Sequence, residues 1–346
     1  MPQCLRRVIA LLICFVFALN MAGLPKAEAF SLISTKQEVA IGRDVAQQLE
    51  KQYGLVEDRE LQERVNRIGQ SMVAVSDRKS LTYSFKVLNS KEVNALAAPG
   101  GYVYVFQGLV DLMPSDDELA GVIGHEIGHI TERHTVKQME KSLGMGILFG
   151  AVFGSNGVLL QNLALNAIMA GYSRDDERES DKLGFLHSYK AGYNPYSMVM
   201  GLQKLSELNQ KYQQNLFSDH PEGRARVALV KKYMDEAKIR PQVVLLEEGN
   251  SAQILDGEWK LPPITATFDG YKPLLRAYFA AGTLYRLSQL ADYSDDKFIT
   301  ESDGTNCTIY YDDQKVITLT PDDAAASGTS VMDFAGSYIA KIKEWK

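Results

Sequence analysis

Cysteine and histidine are scarce in this chain of 346 residues, which contains three cysteines and five histidines. Two of the cysteines lie within residues 1–29, where two arginines precede an apolar run and small residues lead up to Ala29. This pattern predicts a secretory signal peptide over 1–29, cleaved after about Ala29, and hence an exported protein. An uncleaved membrane anchor is the alternative, although the run is short for a span of about 20 residues. After cleavage only Cys307 remains, which excludes an internal disulfide.

Positive charge is also in short supply. The 37 lysines and arginines are outnumbered by 43 acidic residues, which gives a formal net charge of −6. Nucleic-acid backbones select basic surfaces, so this composition argues against a nucleic-acid partner.

Charged residues are absent from 142–173, a stretch long enough to suggest a membrane span. However, Gly154 and Gly157 interrupt it near the middle, and polar amides punctuate its second half. We therefore predict two short buried helices over a functional site rather than a span. A peripheral contact of 143–172 with a membrane stays open.

Hydrophobic periodicity predicts an α+β protein, with a mainly helical domain that contains a small sheet and a smaller C-terminal α+β domain. The composition changes near Arg240, so we place these domains at 30–240 and 241–346. The C-terminal domain contains no histidine, and we predict that it recruits a substrate or an unknown partner, with a purely stabilising role as the alternative. The predicted helices are 34–53, 57–75, one that starts at Ser115, 190–235, 273–291 and one from Val331, and the predicted strands are 83–88, Tyr102–Phe106 and a hairpin at 310–317.

Tyr102–Phe106 is the strand that we expect to hold the substrate. It follows a turn at Pro99, Gly100 and Gly101 and precedes the helix that starts at Ser115. We predict an edge strand to which a polypeptide substrate adds as an extra strand. An interior strand is the alternative.

Three of the histidines fall in GHEIGHITERH, residues 124–134. Residues four apart on an α-helix differ by about 40° in direction, so His125 and His129 project from one face and can bind one ion. Glu126 lies beside them, where a carboxylate can act as the general base of a metalloprotease. The alternative is two histidines on a partly buried helix without an ion. If the helix continues, His134 points nearly opposite His125, so we predict a structural role for it.

A third ligand is offered by SRDDERESDKLG, residues 173–184. A capping box at Ser173 predicts a helix on which Glu177 and Asp181 share one stripe. Glycines thin the corresponding face of the first helix, so the two helices can approach closely enough for Glu177 to reach a metal. Asp181, one turn further on, can then accept the outer ring N–H of a ligand histidine. The alternative is a solvated run of charges.

Four sequence blocks together carry a family resemblance. They are Asn94-Ala95-Leu96-Ala97-Ala98-Pro99-Gly100-Gly101, His125-Glu126-Ile127-Gly128-His129, Glu177-Arg178-Glu179-Ser180-Asp181, and His220-Pro221 with Arg226. In this order and spacing the chain resembles the zinc metallopeptidase family of the type 1 CAAX prenyl proteases and HtpX, especially its soluble periplasmic BepA-type members. The resemblance covers about residues 34–235.

That resemblance implies a zincin-like (gluzincin) peptidase domain that binds Zn²⁺ in the periplasm. It implies that His125, His129 and Glu177 are the zinc ligands and that Glu126 is the catalytic base. It also places His220 beside the metal and Arg226 close to the ligands.

His220 is expected to act from a loop, because the following Pro221 restricts it to an extended backbone. Its imidazole can hydrogen-bond the oxyanion during hydrolysis, or it can occupy the fourth position of zinc and exclude water. We predict that it does both, with helix capping as the alternative.

The chain departs from the family in three ways. Ser180 stands where the family usually has alanine, and neither the transmembrane helices of the membrane-embedded members nor the tetratricopeptide repeats of BepA are found. Prenylated substrates are therefore not expected, and the partnership of BepA with outer-membrane assembly machinery cannot be carried over to this chain. We predict a zinc-dependent endopeptidase of periplasmic protein quality control, a hydrolase that cleaves exported, misfolded or misassembled polypeptides. The alternative is a chaperone-like or binding module with a plugged or structural zinc site.

Overall fold

The computed structural model of the chain describes residues 31–144, 157–212, 223–246 and 251–345. The predicted signal peptide lies outside the described residues, and so does His220. The elements from Thr35 onward belong to one unit.

Two helices and a three-stranded sheet begin this unit. The first turn of the second helix is capped by the Asp58 side chain, which accepts a hydrogen bond from the Leu61 N–H at 3.0 Å. The sheet has the order β1-β3-β2, with β1 parallel and β2 antiparallel to β3. The elements are α1 (Thr35–Tyr53), α2 (Arg59–Val73), β1 (Ser84–Leu88), β2 (Ala95–Ala98) and β3 (Tyr102–Phe106).

The prediction that Tyr102–Phe106 forms an edge strand is wrong. This strand, β3, pairs along its whole length with β1 on one side, and from Tyr102 to Val105 with β2 on the other. Both sides of its backbone are therefore occupied, and an added peptide would find no free ladder positions. The physical reason is that Ala95–Ala98, which is apolar throughout, folds back as a buried strand beside β3.

The helices that follow the sheet carry the predicted motif. The Ser115 hydroxyl accepts the Glu118 N–H and the Glu118 carboxylate accepts the Ser115 N–H, both at 3.1 Å, so the predicted capping box is present. Every residue of the motif helix from Glu118 to Ile130 is buried. These helices are α3 (Gln107–Leu112), α4 (Asp116–Thr131), α5 (His134–Gly144), α6 (Gly157–Met169), α7 (Arg174–Lys190), α8 (Ser197–Tyr212) and α9 (Gly223–Glu236).

Glycines allow α4 and α7 to pack backbone against backbone. A Cβ added at Gly128 would lie 3.0 Å from the Ser180 Cα, and one added at Gly184 would lie 3.0 Å from the backbone nitrogen of His125. Side chains are not tolerated at such distances without movement of the neighbouring backbone. The structure therefore has the close approach of two helices that the glycines predict.

The C-terminal part contains two small antiparallel sheets of order β4-β5-β6 and β7-β8-β9, with helices packed against them. Its presence beside the mainly helical part confirms the α+β class. Its elements are β4 (Gln242–Leu245), β5 (Ala252–Asp256), β6 (Trp259–Lys260), α10 (Pro273–Ser288), β7 (Phe298–Ser302), β8 (Cys307–Tyr311), β9 (Gln314–Leu319), α11 (Pro321–Ala324) and α12 (Val331–Lys343).

One hydrophobic core continues across residue 240. It joins Phe185 of α7 and Met198 of α8 to Tyr278 of α10 and Ile309 of β8. A second core lies between the first sheet, α2 and α4. The C-terminal part therefore packs directly on helices of the mainly helical part.

In the portion of the chain that the structure describes, no helix combines the length and the apolar character needed to cross a membrane. Helix α6 lies where the second of the two helices in 142–173 was predicted. Residues 145–156, which include the break between the two, lie outside the described ranges.

Candidate active site

Three side chains bring their ligand atoms together in the protein interior. The Nε2 atoms of His125 and His129 are 3.0 Å apart, and oxygens of Glu177 lie 3.6 Å from the first and 3.4 Å from the second. All three side chains are buried. The histidines lie one turn apart on α4, and Glu177 lies in the first turn of α7. Helical spacing and the close approach of α4 and α7 thus produce the cluster.

The donor set and its spacing fit a zinc ion. Two imidazoles and one carboxylate are the protein ligands of a class of catalytic zinc sites that keep a fourth position open. Ligand atoms about 2.0–2.1 Å from a tetrahedral ion are roughly 3.3–3.4 Å from one another. The three separations of 3.0, 3.4 and 3.6 Å lie on both sides of that value.

Asp181 and Arg226 lie on the outer side of His125. Oδ1 of Asp181 is 3.0 Å from Nδ1 of His125, and Arg226 donates to Oδ1 and Oδ2 of Asp181 at 2.6 and 2.8 Å. Nη1 of Arg226 is also 2.8 Å from Oε2 of Glu177. A carboxylate that accepts the Nδ1–H selects the tautomer of His125 whose Nε2 lone pair faces the cluster. The contact that the sequence predicts for Asp181 is therefore present.

The opposite charges of Asp181 and Arg226 shift the pKa values of both groups. Burial raises the pKa of Asp181, but the charge and hydrogen bonds of Arg226 and the hydrogen bond from His125 outweigh it and hold that pKa below its ordinary value. Burial lowers the pKa of Arg226, but the neighbouring carboxylates, above all Asp181, raise it overall. Both groups are therefore ionised at neutral pH, and each balances the charge of the other in the interior.

Glu126 lies on the same turn of α4 as His125 and is also buried. Its carboxylate is among the charges that raise the pKa of Arg226, so it is within electrostatic reach of the cluster. Its position differs from that of His125 by about 100° around the helix, so it flanks the ligand atoms. Its role as general base stays a prediction.

Sequence reasoning missed two side chains that contact His129. Nδ1 of His134 is 2.9 Å from Nδ1 of His129, and the Tyr172 ring stacks on the His129 ring with the centroids 3.8 Å apart. The direction predicted for His134 assumed a continuous helix, whereas α4 ends at Thr131 and a new helix begins at His134. No local pattern marks Tyr172, because it reaches the site only through the packing of the chain between α6 and α7.

The predicted roles of His220 stay predictions, because this residue lies outside the described residues. Arg226, six residues later in the sequence, lies in the first turn of α9 and reaches the cluster. The first turn of α9 is therefore anchored at the site.

A buried helix with histidines four residues apart, joined by a glutamate from a second helix, is the arrangement of a metallopeptidase site. The model of peptidase family M48 matches residues 59–234, just over half of the chain, and the chain belongs to this family. The resemblance drawn from the sequence blocks is thereby confirmed. The family implies a divalent metal at the site. A second family model, described as a domain of unknown function (DUF8459), matches residues 252–345.

Curated relatives are similar to parts of the chain. Metalloprotease YcaL of Escherichia coli strain K12 is 32% identical over 162 residues, which are 45% of this chain and 63% of that protein. Metalloprotease LoiP of the same strain is 30% identical over 164 residues, 45% of this chain and 65% of that protein. The beta-barrel assembly-enhancing protease of Yersinia pestis is 29% identical over 194 residues, 52% of this chain and 40% of that protein. The chain thus spans less than two thirds of the length of these relatives.

Proposed function

We propose that this chain is a zinc-dependent endopeptidase that cleaves exported, misfolded or misassembled polypeptides. The observation that carries the proposal is the buried group of His125, His129 and Glu177, whose ligand atoms lie within 4.8 Å of one another. Glu126 lies on the same helix as the two histidines. Membership of peptidase family M48 supports metallopeptidase chemistry at this group.

Each polar residue of the site has a task in this reaction. A zinc ion held by His125, His129 and Glu177 would act as a Lewis acid on the scissile carbonyl and lower the pKa of water toward ~7. Glu126 takes the proton of the attacking water and delivers it to the leaving amine.

Asp181 and Arg226 keep the ligands in place. Asp181 accepts the Nδ1–H of His125, so the lone pair that can ligate a metal is on the opposite nitrogen of that ring. Arg226 contacts Asp181 and Glu177 together, so it offsets two buried carboxylates that would otherwise repel each other. Buried charges are tolerated only when they are compensated in this way.

The proposed substrate class rests on the signal peptide and on the relatives. A signal peptide over 1–29 would export the chain to the periplasm, with 30–240 as the peptidase domain and 241–346 as a C-terminal domain that recruits substrate or partner. Two relatives are named metalloproteases, and a third is named a beta-barrel assembly-enhancing protease. These names support polypeptide substrates. Because β3 is internal, the substrate is not expected to pair with Tyr102–Phe106.

Glu126→Gln tests the proposed chemistry in the full exported chain. We expect cleavage of an unfolded protein such as reduced casein to fall by at least ~10²-fold, because proton transfer is lost. The variant should still hold about one zinc per chain, because Glu126 is not a ligand. The matched control is Glu132→Gln, the same chemical change at the C-terminal cap of α4, which should alter neither property.

Two results would contradict the proposal in different ways. A folded Glu126→Gln protein without zinc would show that Glu126 is a ligand rather than the base. A wild-type protein that holds one zinc per chain but cleaves no polypeptide, whether or not a chelator is added, would contradict the peptidase. It would support the alternative function, a binding module whose zinc site is structural or plugged.

A further inference from the structure

His134 lies between a candidate zinc ligand and acidic side chains of α7. Its Nδ1 is 2.9 Å from Nδ1 of His129, and its Nε2 is 3.2 Å from Oε2 of Glu179 and 3.5 Å from Oδ1 of Asp176. The Ser180 hydroxyl is 3.3 Å from Nδ1 of His134. The His134 ring is completely buried, whereas the two acids are partly exposed. His129, His134 and Glu179 thus form a line of contacts from the cluster toward the protein surface.

The backbone between α4 and α5 directs His134 to this position. α4 ends at Thr131, and Arg133 adopts a φ of 58°, which interrupts the helical backbone before α5 begins at His134. A left-handed conformation at an arginine is unfavourable and needs support. The buried Glu38 supplies it, since its Oε2 is 3.0 Å from Nε of Arg133. His134 is therefore held by a fixed turn.

We propose that His134 is a positioning residue that orients His129 for metal binding, an inference that rests on the proposed metal site. If His129 ligates through Nε2, its proton is on Nδ1, and Nδ1 of His134, 2.9 Å away, can accept it. His134 then carries its own proton on Nε2 and donates it to Glu179. Every nitrogen along the line thus has one assigned role, and the Nε2 lone pair of His129 faces His125 and Glu177.

His129 is thereby held in the same manner as His125. Asp181 contacts Nδ1 of His125 directly, at 3.0 Å. His129 is reached through His134, because α7 brings Glu179 to the far side of that imidazole rather than to His129 itself. Ligand histidines usually donate their outer N–H to such a partner, and loss of the partner typically weakens metal binding by about 10–100-fold. Helix α7 thus supplies a ligand and the outer support of both histidines.

A pair of amide substitutions separates positioning from simple packing. In asparagine, Oδ1 stands at the position of Nδ1 in histidine, so His134→Asn keeps an acceptor for His129 and loses the contact with Glu179. In glutamine, the amide stands at the position of Nε2, so His134→Gln keeps the contact with Glu179 and loses the acceptor for His129. Both changes remove an aromatic ring of the same size from the same buried place.

The measurement is zinc affinity in competition with a chromophoric chelator, using the full exported chain, with the melting temperature of each metal-free protein as the measure of folding. We expect His134→Gln to bind zinc ~10–100-fold more weakly than wild type, and His134→Asn to bind at least ~10-fold more tightly than His134→Gln. The metal-free melting temperatures of the two variants should agree. Equal zinc affinities of the two variants, whether reduced or not, would overturn the inference.

A third variant covers the case in which neither amide variant folds. Glu179 is partly exposed, so Glu179→Ala should fold, and it removes the nearer of the two carboxylates at Nε2 of His134, which lie at 3.2 Å for Glu179 and 3.5 Å for Asp176. Weaker zinc binding at an unchanged melting temperature supports the inference, and unchanged zinc binding overturns it. Failure of wild type to bind zinc would instead contradict the proposed metal site, so the two failures are distinguishable.

Discussion

Gly128→Ala tests whether the contact between α4 and α7 is as tight as the structure has it. The new Cβ would lie 3.0 Å from Cα and 3.2 Å from the carbonyl oxygen of Ser180, whereas ordinary van der Waals contact begins near 3.4 Å. Both atoms belong to the backbone of α7, so relief requires that helix to move by roughly 0.4 Å, at a typical overpacking cost of about 1–3 kcal/mol. Alanine also favours the helix by about 1 kcal/mol over glycine.

Gly336→Ala is the matched control for this substitution. Gly336 lies in α12, and a Cβ added there meets no atom within 4 Å. This variant gains the helix propensity of about 1 kcal/mol without the overpacking cost. The propensity therefore cancels in the comparison, and the free energies of unfolding of the two variants should differ by about 1–3 kcal/mol in favour of Gly336→Ala.

Urea unfolding of the metal-free proteins measures the difference in stability, and chelator competition measures the effect on zinc. Glu177 lies on the same helix, three residues before Ser180, so displacement of α7 should also weaken zinc binding in Gly128→Ala but not in Gly336→Ala. If Gly128→Ala stabilised the protein as much as Gly336→Ala does, the backbone contact would not exist and the account of how the cluster forms would be refuted.

Two further substitutions test other parts of the chain. His220→Ala should lower turnover by ~100-fold with zinc retained, as expected for loss of one oxyanion donor, and unchanged rates on a peptide and a protein substrate would return His220 to a structural role. Asp323 is buried, and although burial raises its pKa, hydrogen bonds from Arg276 and backbone N–H groups hold that pKa below the ordinary value. The stability that its ionised form contributes is therefore present above the unfolded pKa near ~3.9 and is lost as the pH falls through the lower folded pKa. Asp323→Asn should be less stable at pH 6 and should lose less stability than wild type below about pH 4 in urea unfolding, and an equal loss in both proteins would contradict this assignment.

Local patterns predicted the helices that carry the site. Histidines four residues apart, the capping boxes at Ser115 and Ser173, and the glycines of α4 each depend on neighbours within one or two helical turns. Such signals are contained in a short segment, and the structure has the corresponding geometry. The position of Glu177 could be predicted as well, because its helix begins with one of those caps and has small residues on the stripe that contacts α4.

Nonlocal packing accounts for what the sequence did not predict. The order of the strands depends on which distant segments pair, and Ala95–Ala98 shows no alternation that would mark it as a strand. The prediction of an edge strand at β3 fails for this reason. The direction of His134 depended on the end of α4, where the φ of 58° at Arg133 is supported by Glu38, a residue from α1. No pattern near residue 133 indicates that support.

The continuous core has a consequence for the rigidity of the site. Helix α7 carries Glu177 in its first turn, and near its other end Phe185 is buried in the core shared with the C-terminal part, while the Tyr189 hydroxyl is 2.8 Å from that of Tyr285. An α-helix transmits displacement along its axis, and Tyr189 lies about 18 Å from Glu177 along it. The C-terminal part therefore packs against the C-terminal end of α7, and the N-terminal end of the same helix supplies the third ligand. It can thereby influence the position of Glu177 through the helix itself.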